Sequence, residues 1–393
     1  MAATLQIEQS PHLHSGRTTH KFMFDFKTAI YTLSALVVVM QFLYVLLKLE
    51  GTIVEALLVA LRALGLILTG GISAIITEGL WWKFAGNNRY QGLAGWFRMN
   101  TVNVPAITGV LVALTLPVST PFYVVLIGSV VAIIFGKCVY GGLGKNIFNP
   151  ALVGRGFVGL SFGTQISTSY AKFVKSGIDA VSSASPLSVS AILGDGVLKY
   201  YEFTDLLKQW SLTDLLLGFH PGAMGEVLSL FIIITFFYLV YKKTISWYVP
   251  TIYVGVIFAM TWIVGIMLGL SGDGGLRTLA IYYPIYYILT GGVLFGAVYM
   301  LTEPVTSPVT PIGRVYFAIY AAVITFVIRM IGSYPEGVMF SILIMNMFVP
   351  LIDNITGNQS RGITWKRVLF FVLTLGVVFG LTIFVGYQLG GSL

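Results

Sequence analysis

Carboxylates within or beside apolar runs are the side chains of this sequence best suited to bind a cation. They are Glu78 (in ITEGLWW), Glu226 (MGEVLSL), Glu303 (LTEPVTSP), Glu336 (YPEGVMF) and Asp353 (PLIDN). Charge inside a bilayer is costly, so such residues usually face a cavity, a partner or an ion path. Glu303 ranks first, because it precedes prolines that break the backbone and free carbonyl oxygens, and Glu78 ranks second. Asp353 completes the predicted cation path, although a residue at the end of a run equally suits a helix cap or an arginine partner.

Two further segments carry polar side chains in patterns that allow ligand binding. Asn146, Asn149 and Pro150, in GGLGKNIFNPAL, predict the start of a helix after a glycine turn. The free N–H groups of such a start would also suit an anion or phosphate. Hydroxyls of Ser182 and its neighbours crowd DAVSSASPL at 179–187, which is either a serine-rich loop or a covalent attachment point.

Other motif-like patterns favour structural interpretations. Gly154, Gly156 and Gly159 match GxGxxG, but they lie in an apolar run, where small residues that let helices approach closely are the better explanation. Cys138 is the only cysteine, so an iron–sulfur cluster ligated wholly by cysteines of this chain is excluded.

The composition indicates a membrane protein. Only 10% of the 393 residues are charged, 56% are hydrophobic, and the mean hydropathy is +0.88. A soluble domain is about 25% charged, so a soluble enzyme or a disordered chain is excluded as the default class. The net charge of +8 is spread singly between apolar runs, unlike the clustered basic face that nucleic-acid binding needs.

We predict an all-α polytopic membrane protein with ten or eleven transmembrane helices. The predicted spans are 29–49, 64–83, 104–116, 119–138, 148–162, 222–242, 247–271, 282–302, 312–331, 336–352 and 367–388. The runs at 104–116 and 148–162 are short enough to be half-helices, and 52–63 would lie along the membrane surface. Loop lysines and arginines, Lys137 among them, place the N-terminus in the cytoplasm and the long loop 163–221 outside, with Arg329 an outside exception.

An internal repeat divides the membrane part into two copies. Pro117-Val-Ser-Thr-Pro121 returns as Pro304-Val-Thr-Ser-Pro308, each followed by an apolar run, a glycine-rich turn and another run. The copies begin five spans apart, so they face opposite ways, and a functional site is expected near their interface. The predicted parts are an N-terminal segment (1–27), a first repeat (28–162), the loop (163–221), a second repeat (222–353) and an extra C-terminal helix (354–393).

Several stretches together resemble one known family. They are SPHLHSGRTTHKFMFDF at 10–26, GKCVYGGLGKNIFNPALVGRGF at 136–157, DAVSSASPL at 179–187, HPGAMGE at 220–226, LTEPVTSPVTPIGR at 301–314 and SYPEGVMFSILIMN…PLID at 333–353. The sequence resembles the D subunit of Rnf ferredoxin–NAD oxidoreductases, related to the B subunit of sodium-pumping NADH–quinone reductases. The start SPHxxSG favours the Rnf type.

The resemblance implies a prokaryotic cytoplasmic-membrane subunit that carries electrons through FMN and riboflavin and couples this to Na⁺ or H⁺ transport. Its partners would be membrane subunits with an iron–sulfur cluster and a flavin, and cytoplasmic iron–sulfur and flavin subunits. The FMN phosphoester position corresponds to Ser185, with Ser182 and Ser183 beside it. Asn149, Gly142 and His220 are the candidates for riboflavin contacts.

The chain departs from the family pattern in two places. The family has threonine where Ser185 stands and usually glycine at Ser183, and it lacks the span after Asp353. Serine forms the same phosphoester, but the enzyme that installs FMN has to accept it. A solute transporter or channel, which also uses inverted repeats, and a structural subunit without flavin therefore stay open as alternatives.

Overall fold

The computed structural model describes residues 19–85, 92–166, 210–270, 276–331, 337–357 and 365–390. These residues are mainly helical, with no strand among them. The first seven helices are α1 (Thr19–Leu47), α2 (Ile53–Phe84), α3 (Gly92–Val102), α4 (Pro105–Leu114), α5 (Phe122–Ile133), α6 (Pro150–Ser161) and α7 (Leu212–Leu217). The others are α8 (Ser229–Tyr241), α9 (Tyr248–Leu270), α10 (Leu276–Leu289), α11 (Val293–Phe295), α12 (Pro311–Ile331), α13 (Gly337–Thr356) and α14 (Trp365–Gly390).

The lengths and apolarity of these helices confirm a multi-pass membrane protein. Within the described ranges, α1, α2, α9, α12 and α13 are each long and apolar enough to cross a bilayer. Two further spans are helix pairs, α3 with α4 and α10 with α11, each bent by 63° at a short break. Shorter apolar helices lie at Phe122–Cys138, Ser229–Tyr241 and Val372–Gln388. The predicted half-helix at 104–116 corresponds to α4.

Three boundary predictions were wrong. Residues 52–63 do not form a separate surface helix, because Thr52 and Glu55 form a capping box that begins the continuous helix α2. The predicted span 282–302 is broken after Thr290, where Gly291 takes a φ of +68° that glycine tolerates. The span at 222–242 becomes helical only at Ser229.

The helices follow one order twice. Two helices, a bent pair and two more helices occur as α1–α6 and again as α8–α13, and α14 stands outside both copies. In both copies a π-helical turn is present, at Ile134–Cys138 after α5 and at Gly296–Met300 after α11. The inverted orientation of the copies stays a prediction.

Glycines set the closest helix contacts in the first copy. A Cβ added to Gly109 would overlap the backbone oxygen of Gly70, and one added to Gly154 would overlap that of Gly128. In both cases the added Cβ would lie well inside the van der Waals distance to that oxygen. Any side chain at Gly109 would therefore push α4 away from α2, and any side chain at Gly154 would push α6 away from α5. The close-approach interpretation of Gly154 is therefore confirmed.

The C-terminal helix α14 packs on the second copy. The hydroxyls of Tyr320 on α12 and Thr374 on α14 lie 2.8 Å apart. Gly386 of α14 lies against the side chain of Met267 on α9, where a Cβ would come within 2.5 Å of the sulfur. The extra helix is therefore a packed element of the membrane part.

Candidate functional site

A cleft lined by several of the predicted site residues lies where the two copies meet. It has a cavity volume of about 70 Å³ and opens to solvent. We call it the lysine cleft, and its polar and aromatic lining includes Phe26, Asn103, Lys137, Asn149, Tyr299 and Glu303. One wall is formed at the break between α3 and α4. Another is formed by residues in and after the π-helical turn Gly296–Met300, which follows α11.

The break between α3 and α4 holds a buried ion pair. The Lys137 Nζ lies 2.8 Å from Glu78 Oε2, and the two side chains are 1% and 0% exposed. Nζ also donates to the backbone oxygen of Asn103 at 2.6 Å, and Asn103 Nδ2 donates to Glu78 Oε1 at 2.8 Å. Val104, which follows, has a φ of +53°. Three elements, α2, the break and the π-helical turn after α5, therefore meet at one ammonium group.

Lys137 and Arg329 correct the topology argument, since neither is a loop residue. Lys137 is buried at the end of the predicted span 119–138, and Arg329 is 4% exposed within α12. Neither residue therefore counts toward the charge of an inside or outside loop.

Glu303 lies on the opposite wall of the lysine cleft. Its Oε1 accepts from Asn146 Nδ2 at 3.3 Å, and its Oε2 accepts from Thr306 Oγ1 at 3.1 Å. The loop that carries it is fixed by Asn346, whose Nδ2 donates to the Thr306 backbone oxygen at 2.9 Å. The carboxylate is therefore held at the helix end, facing the same space as Lys137.

Asn149 is the N-cap of α6, as the sequence predicts. Its Oδ1 accepts from the Leu152 N–H at 3.3 Å, and its Nδ2 donates to the Met300 backbone oxygen at 3.4 Å. Its own N–H donates to Asn346 Oδ1 at 3.1 Å. The residue thus joins the first copy to the second at the wall of the lysine cleft.

The remaining predicted residues lie elsewhere. Gly142, with a φ of +98°, lies against the ring of Trp82, where a Cβ would be 3.0 Å from the nearest ring carbon. His220 is buried after α7 and does not line the cleft. Burial lowers its pKa to about 4, against a smaller raising effect of Asp214, so it is neutral at physiological pH.

Asp353 is engaged in a backbone contact away from the lysine cleft. Its two carboxylate oxygens accept from the Val309 N–H at 3.0 and 3.3 Å. The carboxylate thereby fixes the end of the loop at 304–308, which we call the proline loop. This is a capping contact, made to a loop and not to a helix end. Ser182, Ser183, Ser185 and Glu336 lie outside the described residues.

A second cleft lies at the other break, between α10 and α11. Its lining includes Thr115, Arg155, Glu226, Gly292 and Gly296. The Glu226 carboxylate sits so close to Gly292 that a Cβ there would be 2.9 Å from Oε1. The end of α4 borders this cleft, and the start of α4 borders the lysine cleft.

The carbonyls before the second break are bound by Arg329. Its Nη1 donates to the Tyr287 backbone oxygen at 3.1 Å and its Nη2 to that of Thr290 at 3.0 Å. The guanidinium also lies 4.9 Å from the centroid of the Tyr287 ring. Among the described residues, no carboxylate lies within ion-pair distance of this arginine.

Sequence reasoning missed Lys137, Asn103 and Arg329. The available signal was the position of Lys137 and Arg329 inside long apolar runs, the criterion that selected the acids. Nothing in the sequence indicates a role for the Asn103 carbonyl, because that role depends on where the helix is interrupted.

Comparison with known proteins assigns a family to nearly the whole chain. The model of the NQR2, RnfD, RnfE family matches residues 6–362. The D subunit of a proton-translocating ferredoxin:NAD(+) oxidoreductase complex from Clostridium ljungdahlii is 33% identical, covering 91% of this chain and 96% of the relative. The D subunit of a Na(+)-translocating ferredoxin:NAD(+) oxidoreductase complex from Acetobacterium woodii is 32% identical, covering 92% and 96%. The B subunit of a Na(+)-translocating NADH-quinone reductase from Pseudomonas aeruginosa is 33% identical, covering 72% and 65%.

Proposed function

The chain belongs to the NQR2, RnfD, RnfE family, and we propose that it is the electron-carrying membrane subunit of an Rnf-type, ion-translocating ferredoxin:NAD⁺ oxidoreductase. Its similarity to two D subunits over nearly their whole length supports this assignment over a quinone-reductase component. The multi-subunit character of those complexes implies partner subunits, which we propose to supply iron–sulfur and flavin centres. The proposed location is a prokaryotic cytoplasmic membrane, with the N-terminus on the cytoplasmic side.

We propose that the lysine cleft binds the noncovalent flavin. The rings of Phe22, Phe26 and Tyr299 and the amides of Asn103 and Asn149 line one space, which suits a flat aromatic ring system with polar edges. We place riboflavin there, with the aromatic side chains against its faces. A bound flavin passes one or two electrons and so connects one-electron and two-electron partners.

FMN on Ser185 completes the proposed cofactor set. The phosphoester needs a side-chain hydroxyl, which serine offers as threonine does. Ser185 lies in the segment between α6 and α7, and the neighbouring hydroxyls of Ser182 and Ser183 would lie beside the phosphate. This assignment depends on the family resemblance of DAVSSASPL at 179–187.

Cation transport is the second half of the proposal, and one observation carries it. Lys137, which is paired with the buried Glu78, and the Glu303 carboxylate line one cleft at a broken helix. Broken helices with exposed carbonyls and carboxylates are the usual ligands of Na⁺ or H⁺ in transporters. We propose that Glu303 and Glu78 bind the transported cation, either Na⁺ or H⁺.

The proposal is tested on the subunit purified from its complex. We expect in-gel flavin fluorescence after denaturing electrophoresis, an FMN-phosphoryl peptide containing Ser185, and riboflavin released on denaturation. S185A should remove the covalent band, whereas S183A, the matched control, should keep it. Absence of both flavins from this chain, in a complex whose other subunits retain theirs, would overturn the redox role.

A further inference from the structure

The polar groups around the Lys137 ammonium form a ligand set suited to a cation. A carboxylate oxygen of Glu78 and the backbone oxygen of Asn103 both lie within 2.8 Å of Nζ. The second carboxylate oxygen is fixed by Asn103 Nδ2 at 2.8 Å and approached by Trp82 Nε1 at 3.4 Å. The Glu78 carboxylate is therefore held in place by groups other than the lysine.

Oxygen ligands of this kind are what an alkali cation requires. Hard cations prefer carboxylate and carbonyl oxygens, and unwound backbone at half-helix ends supplies such carbonyls in membrane transporters. The Asn103 carbonyl is one of these, because it faces the break between α3 and α4, where Val104 has a φ of +53°. The charge of the site is provided by Glu78, which is 0% exposed.

We propose that the Glu78 carboxylate and the Asn103 carbonyl form an alkali-cation site, which the Lys137 ammonium occupies as a tethered competitor. Occupation by sodium and by the lysine is mutually exclusive, because both need the same two oxygens. The structure shows the lysine-occupied state. This inference rests on the proposed transport function for its physiological meaning, but the site is defined by geometry alone.

A lysine side chain can leave the cation site more easily than an arginine side chain could. The ammonium is a compact charge on a flexible stem, while a guanidinium makes several directional hydrogen bonds at once. Arg329 at the second break makes two, to the carbonyls of Tyr287 and Thr290. An ammonium that leaves Glu78 remains in the lysine cleft, whose opposite wall carries the Glu303 carboxylate.

The test uses the assembled complex in detergent and follows the thermal unfolding of this subunit. Lys137→Met removes the ammonium and leaves its position vacant, because the methionine side chain is one atom shorter. With the site vacant, sodium chloride should raise the unfolding temperature of K137M by about 3 °C or more over choline chloride at equal ionic strength. Alkaline pH minimises competition by protons. The wild type should show a smaller difference, since its ammonium competes with sodium for the site.

Two control variants locate the effect. K137M with E78Q removes the carboxylate and should abolish the sodium-specific shift. Arg329→Met removes the buried cation of the second break, which binds two carbonyl oxygens rather than a carboxylate, and should show none. If K137M does not assemble, Lys137→Gln carries the same titration, since its amide is neutral and ends one atom short of the ammonium position.

The proposal is overturned if K137M responds equally to sodium and choline, or if the double variant or R329M responds as K137M does. Failure of both lysine variants to assemble in sodium-containing medium would also overturn it, because sodium should replace the ammonium. The readout needs neither flavin nor turnover. A sodium-specific shift without cation-coupled turnover would therefore leave the site in place and refute only the proposed transport.

Discussion

At the first helix break the basic side chain binds a carboxylate and one carbonyl, whereas at the second break it binds carbonyls alone. Lys137 and Glu78 lie 2.8 Å apart and both are buried. Arg329 is equally buried but donates to the Tyr287 and Thr290 oxygens and lies over the Tyr287 ring. Both side chains neutralise the negative end of a half-helix, but they do so with different chemistry.

The proline loops show the complementary difference. In the second copy Glu303 immediately precedes Pro304, whereas in the first copy Leu116 precedes Pro117. The first loop is held by Arg62, which donates to the carbonyls of Val118 and Ser119 at 3.0 and 3.1 Å. The proline loop is thus present in both copies, but a carboxylate precedes it only in the second copy, at the lysine cleft.

The largest predicted effect is the loss of one member of the buried ion pair. Glu78→Gln leaves the Lys137 ammonium buried without its carboxylate, so we expect a loss of about 3–5 kcal/mol in unfolding free energy. The measurement is denaturant unfolding of the purified subunit in detergent. Adding K137M to E78Q should restore most of the loss. Equal instability of the double variant would mean that packing, not charge, dominates the first break.

The next largest effect is a pH dependence of the folding stability that His220 causes. His220 has a folded pKa of about 4 and an unfolded pKa of 6.5. Because the unfolded state binds the proton more readily, stability is lost as the pH falls from 6.5 to 4, by about 3 kcal/mol at most. Thermal unfolding of the wild type should show this loss, and His220→Gln should reduce it. Identical pH profiles would remove His220 from the account.

At the second break, Arg329→Met should cost about 2 kcal/mol, less than E78Q does. Two charge-assisted hydrogen bonds are lost, but among the described residues no carboxylate is left unpaired. Arg329→Lys keeps the charge but not the paired geometry and should fall between wild type and R329M. A cost for R329M as large as that for E78Q would contradict the contrast between the breaks and point to an acid outside the described residues.

The smallest effect is expected at Asp353. Asp353→Asn retains an oxygen to accept from the Val309 N–H, so stability should change by less than about 1 kcal/mol. Asp353→Ala, the matched comparison, loses the acceptor and should cost more. Unfolding of both variants gives the stability change, and cation uptake by the reconstituted complex gives the transport change. A loss of transport in D353N at unchanged stability would extend the cation path from the lysine cleft to this residue.

Most of the fold can be predicted from the sequence, because apolar runs of about 20 residues indicate membrane helices directly. Each predicted span coincides with a helix or a bent pair, and the repeat in PVSTP and PVTSP marks equivalent loops. The break at Thr290 is less visible, because Gly291 and Gly292 lie in an otherwise continuous apolar run. Only tertiary packing decides whether such glycines bend a helix.

The candidate site is predictable only in part. Glu303 was selected because proline follows it, and the structure places it in the lysine cleft. The sequence predicts that Lys137 is a charged residue of a loop, and this is wrong. Its partner Glu78 is 59 positions away, and no local pattern connects the two residues. The sequence ranks Asp353 below Glu303, and its carboxylate accepts from the Val309 N–H at the end of the proline loop. Contacts between distant segments, not local composition, distinguish these acids.

The central claim is that Glu303 in the lysine cleft couples electron flow to cation movement. The direct test is Glu303→Gln in the complete complex reconstituted in liposomes, with ferredoxin oxidation, NAD⁺ reduction and uptake of ²²Na⁺ or protons measured together. D353N serves as the matched control. We expect E303Q to keep its flavins while losing cation uptake and any sodium dependence of turnover, and D353N to keep both. Unchanged uptake and unchanged sodium-dependent turnover in E303Q would contradict the account.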